Sequence, residues 1–251
     1  MIQIEHIDKS YGSDQVLFDL TLDIPANHVT TIIGPNGAGK STFLGVIARL
    51  LKRDSGKVFI DSVDVLDWET SELAKKMSIL KQSNITNLKI TIEEVVTFGR
   101  YPHSKGRLTK TDQEKIEEAL LFVDLQDIKY RYIDELSGGQ RQRAFVAALL
   151  AQDTDYILLD EPLNNLDMRY MVDTMQLLKR MALQKDKTVI FVLHDINFAS
   201  SYSDHIIALK DGKLLKKGGV REIINEDVLK ELYGLEFNII ENEGKPVCLY
   251  Y

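Results

Sequence analysis

The sequence predicts an α/β fold: a parallel sheet with crossover helices, an antiparallel β subdomain ahead of it, and a helical segment inserted near the middle. Three observations carry that prediction. Apolar, β-branched runs recur along the 251 residues, at 29–33, 156–159, 188–193 and 206–209. Each of the last three follows a stretch of helical periodicity, as strands joined by crossover helices do. Between about 84 and 152 the text is instead mostly helical, with capping residues ahead of apolar faces.

In chain order, residues 2–7 and 17–24 read as two strands about a turn at Tyr11-Gly12-Ser13-Asp14. Val29-Thr30-Thr31-Ile32-Ile33 reads as a buried strand, and Gly34-Pro35-Asn36-Gly37-Ala38-Gly39-Lys40-Ser41-Thr42 follows it. That nonapeptide meets the phosphate-loop pattern G-x-x-x-x-G-K-S/T at every fixed position. Behind it Phe43, Leu44, Val46, Ile47 and Leu50 recur at helical spacing, so the loop lies between a strand end and a helix start. Its glycines let successive N–H groups converge on one anion, and the helix N-terminus adds a partial positive charge. In such a loop Lys40 reaches the β- and γ-phosphates and the Ser41 hydroxyl holds Mg²⁺.

Asp54-Ser55-Gly56 marks a turn into a short strand at 57–60; a short helix at 71–77 and a strand at 78–80 follow, ending at Gln82. Thr91-Ile92-Glu93-Glu94 is a capping box leading into Val95, Val96 and Phe98. Residues 102–107 read as a loop, and Thr109 or Thr111 caps an amphipathic helix through Ile116, Ala119, Leu120 and Val123. After the later strands, Lys210-Asp211-Gly212-Lys213 is a hairpin turn, and a helix near 227–233 precedes a terminal strand pair.

Composition narrows the function classes. Hydrophobic residues at 44% and charged residues at 27% are those of a globular protein. No apolar run approaches the roughly 18 residues that span a bilayer, and the alternating N-terminus lacks the blocks of a signal peptide. Cys248 is the only cysteine, so no internal disulfide forms, in keeping with a reducing cytosol. A net charge of −7 argues against a nucleic-acid binder, which carries a basic face. A membrane would concern this chain only through a partner.

Two further motifs carry chemistry. Tyr156-Ile157-Leu158-Leu159-Asp160-Glu161-Pro162 is an apolar strand ending in two carboxylates, the Walker B pattern, at the end where α/β sheets place their sites. Asp160 would hold Mg²⁺ through water or from outside its direct ligands, and Glu161 would polarise the attacking water. Leu136-Ser137-Gly138-Gly139-Gln140 opens an apolar helix (Phe145, Val146, Ala148, Leu149, Leu150) and offers a second anion cradle. A plain helix cap would explain Ser137 but not both glycines with Gln140.

That pentapeptide, lying between the two Walker motifs, resembles the signature of ATP-binding cassette (ABC) proteins, and the resemblance covers the whole chain. It implies a P-loop (RecA-like) NTPase core at 1–82 and 154–251 and a helical subdomain at 83–153 that carries the signature. By the same resemblance Tyr11 stacks on adenine and Gln82 contacts Mg²⁺ or water at the hinge into the helical subdomain. His194 reads the γ-phosphate, and Asp167 crosses a dimer interface. Leu163-Asn164-Asn165-Leu166-Asp167 departs from the usual small-residue run before Leu-Asp, which leaves Asn164 and Asn165 without an assigned role.

The resemblance further implies a head-to-tail homodimer in which Lys40 and Glu161 of one subunit face Ser137, Gly138 and Gly139 of the other, with Gln140 also counted among the nucleotide-binding residues. ATP and Mg²⁺ are the implied ligands. The partners would be transmembrane permease subunits, docked on the helical subdomain near 82–88 and 98–102, and indirectly an extracytoplasmic binding protein. The place would be the cytoplasmic face of the cell membrane. Phe98-Gly99-Arg100-Tyr101-Pro102, followed by Ser104-Lys105-Gly106-Arg107, resembles the iron(III)-siderophore and vitamin B12 importer group. Glu161-Pro162-Leu163-Asn164-Asn165-Leu166-Asp167-Met168 resembles its ferric-siderophore members more narrowly, a catecholate or petrobactin-type siderophore being the match within them. The alternatives are cassette ATPases outside transport, either an iron–sulfur assembly scaffold or a ribosome- or DNA-acting type. Co-purification with a membrane protein separates these from an importer.

Overall fold

The computed structural model describes residues 1–81, 89–164 and 166–250; Gln82, the segment 83–88 and Asn165 lie outside the described residues. Strands β1 (Ile2–Tyr11) and β2 (Asp14–Ile24) open the chain, paired antiparallel with Ile2 opposite Ile24 and Tyr11 opposite Asp14. Both run further than the sequence reading allowed. Register shifts after Ile4, Ile7 and Lys9 break the alternation of side chains, so a strict period of two loses the strand while the ladder continues.

Next come β3 (Val29–Ile33), α1 (Lys40–Ile47), β4 (Ser55–Ile60), β5 (Val63–Asp64), α2 (Thr70–Lys76) and β6 (Met77–Leu80). Four helices follow: α3 (Ile92–Gly99), α4 (Tyr101–Ser104), α5 (Lys110–Phe122) and α6 (Gly138–Gln152). The chain then alternates through β7 (Tyr156–Asp160), α7 (Met168–Gln184), β8 (Thr188–Val192), α8 (Ile196–Tyr202) and β9 (His205–Lys210). It closes with β10 (Lys213–Gly219), α9 (Val220–Ile223), α10 (Glu226–Tyr233) and the hairpin β11 (Asn238–Asn242) and β12 (Lys245–Leu249).

Besides that terminal two-stranded hairpin, two larger sheets form, ordered β2-β1-β4-β5 and β10-β9-β3-β8-β7-β6. The first is antiparallel; in the second every described pair is parallel except the edge pair β9–β10. Strands β3 and β8 are buried at every position, which is why their sequences are apolar or β-branched throughout rather than alternating. Successive side chains of the central strands feed opposite faces. Leu158, Ile190 and Val192 pack with Phe43, Leu44 and Ile47 of α1, which lies between the two sheets. Ile157, Leu159, Val189 and Phe191 pack on the other side with Ala147, Met175 and Leu178. Helix α1 is thus held from both sides, and the loop before it is fixed by what the helix buries.

Two local readings are corrected. Leu50 does not extend the α1 face: it is 49% exposed, because the left-handed backbone of Arg49 (φ +55°) turns the chain and Leu51 packs against Gly45 instead. Residues 102–107 are not all loop. They begin in the helical turn α4, where Pro102 sits in the first turn, its fixed φ suits a helix and its missing N–H goes unused. Of the two candidate caps for α5, Thr109 is the one used, in a capping box with Asp112.

Candidate active site

Strand register brings the motifs together. Ile32 of β3 lies opposite Val192 of β8, and Val192 lies opposite Asp160 of β7. The residues just past that row are the phosphate loop, His194 and Glu161, so three adjacent strands deliver their carboxyl ends to one place.

Within the loop the Lys40 side chain is buried, its Nζ donating to the carbonyls of Gly34 at 2.8 Å and Pro35 at 2.9 Å. Burial pushes the ammonium below its ordinary pKa, and the charges of Glu161 and Asp160 oppose that. A side chain at Gly39 (φ +88°) would run into Leu17 of β2, so this position needs glycine both for its backbone and for its space. Gly37 (φ +81°) instead faces open space. Helix α1 has no side-chain cap, which leaves its first-turn N–H groups to an anion. The loop therefore fits a polyphosphate.

The Ser41 hydroxyl donates to Asp160 Oδ1 at 2.8 Å. Burial raises the Asp160 carboxyl, the Ser41 bond lowers it, and the neighbouring Glu161 charge raises it further. A cation between these two oxygens would relieve both effects. Among the described residues no cluster of three or more His, Cys, Asp or Glu could hold a metal alone. The set fits a small hard ion that takes most of its oxygens from phosphate and water.

Glu161 follows at the end of β7. Its N–H donates to the Val192 carbonyl at 3.2 Å, and its backbone is left-handed (φ +52°). For a residue with a Cβ that conformation costs about 1–2 kcal/mol, a strain found where a side chain must be aimed. His194 Nε2 lies 2.5 Å from Glu161 Oε1, and the Asn164 amide donates to Glu161 Oε2. These three side chains open on one cleft walled by Leu163, Met171 and Phe198.

The other candidates stand apart. Among the described residues no hydrogen bond joins 137–140 to 34–42. Ser137 caps α6: its hydroxyl accepts from the Gln140 N–H at 3.3 Å, and the Gln140 side chain accepts from the Ser137 N–H at 3.2 Å. A Cβ at Gly139 would enter the Tyr170 ring, whereas Gly138 is exposed with only Leu166 near. The cap bonds thus tie Ser137 to Gln140, Tyr170 keeps Gly139 small, and Gly138 has open space. Tyr11 is 46% exposed, with the Lys9 ammonium 5.4 Å from its ring centre. Asp167 precedes α7, exposed and without a cap bond. Asn164 is one of the two residues the sequence reading left unassigned. The only signal for it is its spacing, three residues after Glu161 across Pro162.

The fold and this site define a nucleotide-binding α/β ATPase. Residues 17–164 match the family model described as ABC transporter. The chain is 49% identical over 251 residues to a petrobactin import ATP-binding protein of Bacillus subtilis (strain 168), covering 100% of both chains. It is 44% identical over 250 residues to a petrobactin import ATP-binding protein of Bacillus anthracis, again covering 100% of both. Among solved structures, an ATP-binding cassette solved as a dimer in a post-hydrolysis state with ADP and Pi shares 32% identity and superposes with a TM-score of 0.76, over 88% of this chain and 99% of that one. The chain belongs to the ABC transporter family, as one of its ATP-binding, ATP-hydrolysing proteins.

Proposed function

We propose that the chain is the motor subunit of an importer for an iron(III)-siderophore, with a petrobactin-type cargo favoured by its relatives of 49% and 44% identity. It works as a head-to-tail dimer on the cytoplasmic face of the membrane, beneath permease subunits. Its attachment to the membrane runs through those subunits; among the described residues no helix is long and apolar enough to cross a membrane. The core at 1–82 and 154–251 binds nucleotide, and 83–153 answers to the permease. Phe98 and Tyr101, 64% and 63% exposed on α3 and α4, are the anchors for a short cytoplasmic helix of the permease.

One observation carries the chemical reading: the Glu161–His194 contact stands beside the Ser41–Asp160 pair at the end of the same strand. Lys40, the loop N–H groups, Ser137 and Gly138 hold ATP. Ser41 and Asp160 would hold Mg²⁺, with Gln82 assigned to the same ion by the resemblance, and the ion would neutralise phosphate charge. Tyr11 stacks on adenine, and Asp167 contacts the partner subunit. Glu161 accepts from and orients the attacking water, and His194 holds Glu161 and senses the γ-phosphate.

Glu161→Gln tests it. The amide keeps the shape but loses the basic carboxylate, so turnover should fall by about 10²–10⁴ while ATP affinity holds. ATP should then drive the variant into a dimer on size-exclusion chromatography. Unchanged turnover with no ATP-dependent dimer would count against both the base and the dimer.

A further inference from the structure

We propose that Asn164 is a positioning residue for the catalytic carboxylate: its amide fixes the second oxygen of Glu161 while His194 fixes the first. This rests on Glu161 being the base, as proposed above. The identity of the donating atom follows from chemistry, because an ionised carboxylate only accepts, so the nitrogen end of the Asn164 amide must face Glu161 Oε2. Backbone geometry puts it there. The Asn164 N–H donates to the Glu161 carbonyl at 3.3 Å, closing a four-residue turn with Pro162 and Leu163 at its centre. Pro162 presets the first central φ of such a turn, and Leu163 is anchored by burial. Glu161, whose φ is left-handed, opens that turn, and its Oε2 meets the Asn164 amide that closes it.

Asn164 is itself exposed, so packing does not hold its side chain; the bond to Glu161 does. A glutamate held at one oxygen can still swivel about that contact. Donors on both oxygens fix the carboxylate plane, and each oxygen keeps a further lone-pair direction with which to accept a water proton. The 163–167 wording, which departs from the commonest cassette pattern, thus places an amide where the turn can deliver it to the base.

The test is the steady-state ATPase of the full chain carrying Asn164→Ala or Asn164→Asp. Loss of orientation alone should lower kcat about tenfold in the alanine variant, a fraction of what the base supplies, with KM for ATP and Tm unchanged. Asn164→Asp keeps the shape but sets a carboxylate against a carboxylate, so its kcat should fall further. A packing role predicts the opposite order, with aspartate nearer to wild type than alanine, and that order would overturn the proposal. So would an Asn164→Ala kcat within twofold of wild type. In the Glu161→Gln background Asn164→Ala should cost nothing more. If Glu161→Gln retains turnover, the base assignment falls and takes this role with it. If Glu161→Gln is inactive while Asn164→Ala turns over normally, only the role of Asn164 falls.

Discussion

Asp112 and Arg100 form an ion pair from which water is nearly excluded, their side chains 4% and 6% exposed and Nε to Oδ1 2.8 Å. Arg100 also donates to the Ala151 carbonyl at 2.6 Å, so one guanidinium ties the end of α3 to the start of α5 and the end of α6. Burial pushes the Asp112 carboxyl up. The Thr109 N–H and hydroxyl and the Arg100 guanidinium overcome it and hold the pKa at about 2, below the ordinary 3.8. A depressed folded-state pKa gives stability that is present above the unfolded value and is lost as pH falls through the folded one. Its share should therefore disappear between about pH 4 and pH 2. Asp112→Asn leaves a buried charge unpaired and should cost about 3–5 kcal/mol at neutral pH, with less loss on acidification over that window than wild type shows. Thermal melts at pH 7 and pH 3 check both. Part of this arrangement was legible: Thr109 stood as one of two candidate caps for α5, without its partner Asp112. The Arg100 pairing and the Glu161–His194 contact were not, because each depends on chain that returns from another element.

Helices α3 and α4 divide one short motif between two tasks. In Phe98-Gly99-Arg100-Tyr101-Pro102, a Cβ at Gly99 would strike the Ala148 backbone of α6, and Arg100 turns inward to Asp112. Phe98 and Tyr101 point out and are among the most exposed aromatic residues of the described chain. A core role predicts burial for both, and they are not buried. Tyr101→Ala should thus leave Tm and the basal ATPase of the isolated subunit near wild type, since exposed positions move stability by about 0.5 kcal/mol or less. Assembly with the permease should weaken by about 2 kcal/mol, the loss usual for a buried aromatic anchor, measured by co-purification and by substrate-stimulated hydrolysis. A drop in Tm with normal assembly would return Tyr101 to the subdomain core. The start of α6 shows where pattern reading stops. Ser137 to Gln140 were legible as a motif, but Gly139 is small because α7 places Tyr170 there, a constraint that no local window contains.

Across the whole molecule, the carboxyl ends of β3, β7 and β8 gather Lys40, Asp160, Glu161 and His194, while Ser137 and Gly138 stay outside that group. The parallel sheet could be anticipated from strands that alternate with helices, but its strand order could not; the separation of the two cradles followed only from the resemblance, since by pattern alone both are glycine-rich helix starts. If the cradles meet only between subunits, two lesions on opposite sides should complement. A Lys40→Ala chain paired with a Ser137→Arg chain forms one site damaged on both sides and one with an intact loop facing an intact signature. Each homodimer has a lesion in both of its sites and should be inactive. Random mixing makes half of the dimers mixed and leaves one sound site in each, so recovery should reach about a quarter of wild-type ATPase if sites act independently, and less if they are coupled. The measurement is ATPase activity of the two variants alone and after equimolar mixing, with mixed dimers verified by differently tagged chains. Recovery in the mixture supports a site built from two subunits. Full activity of Ser137→Arg alone would remove the signature from the phosphate, and no recovery in verified mixed dimers would mean that each chain hydrolyses ATP with its own residues.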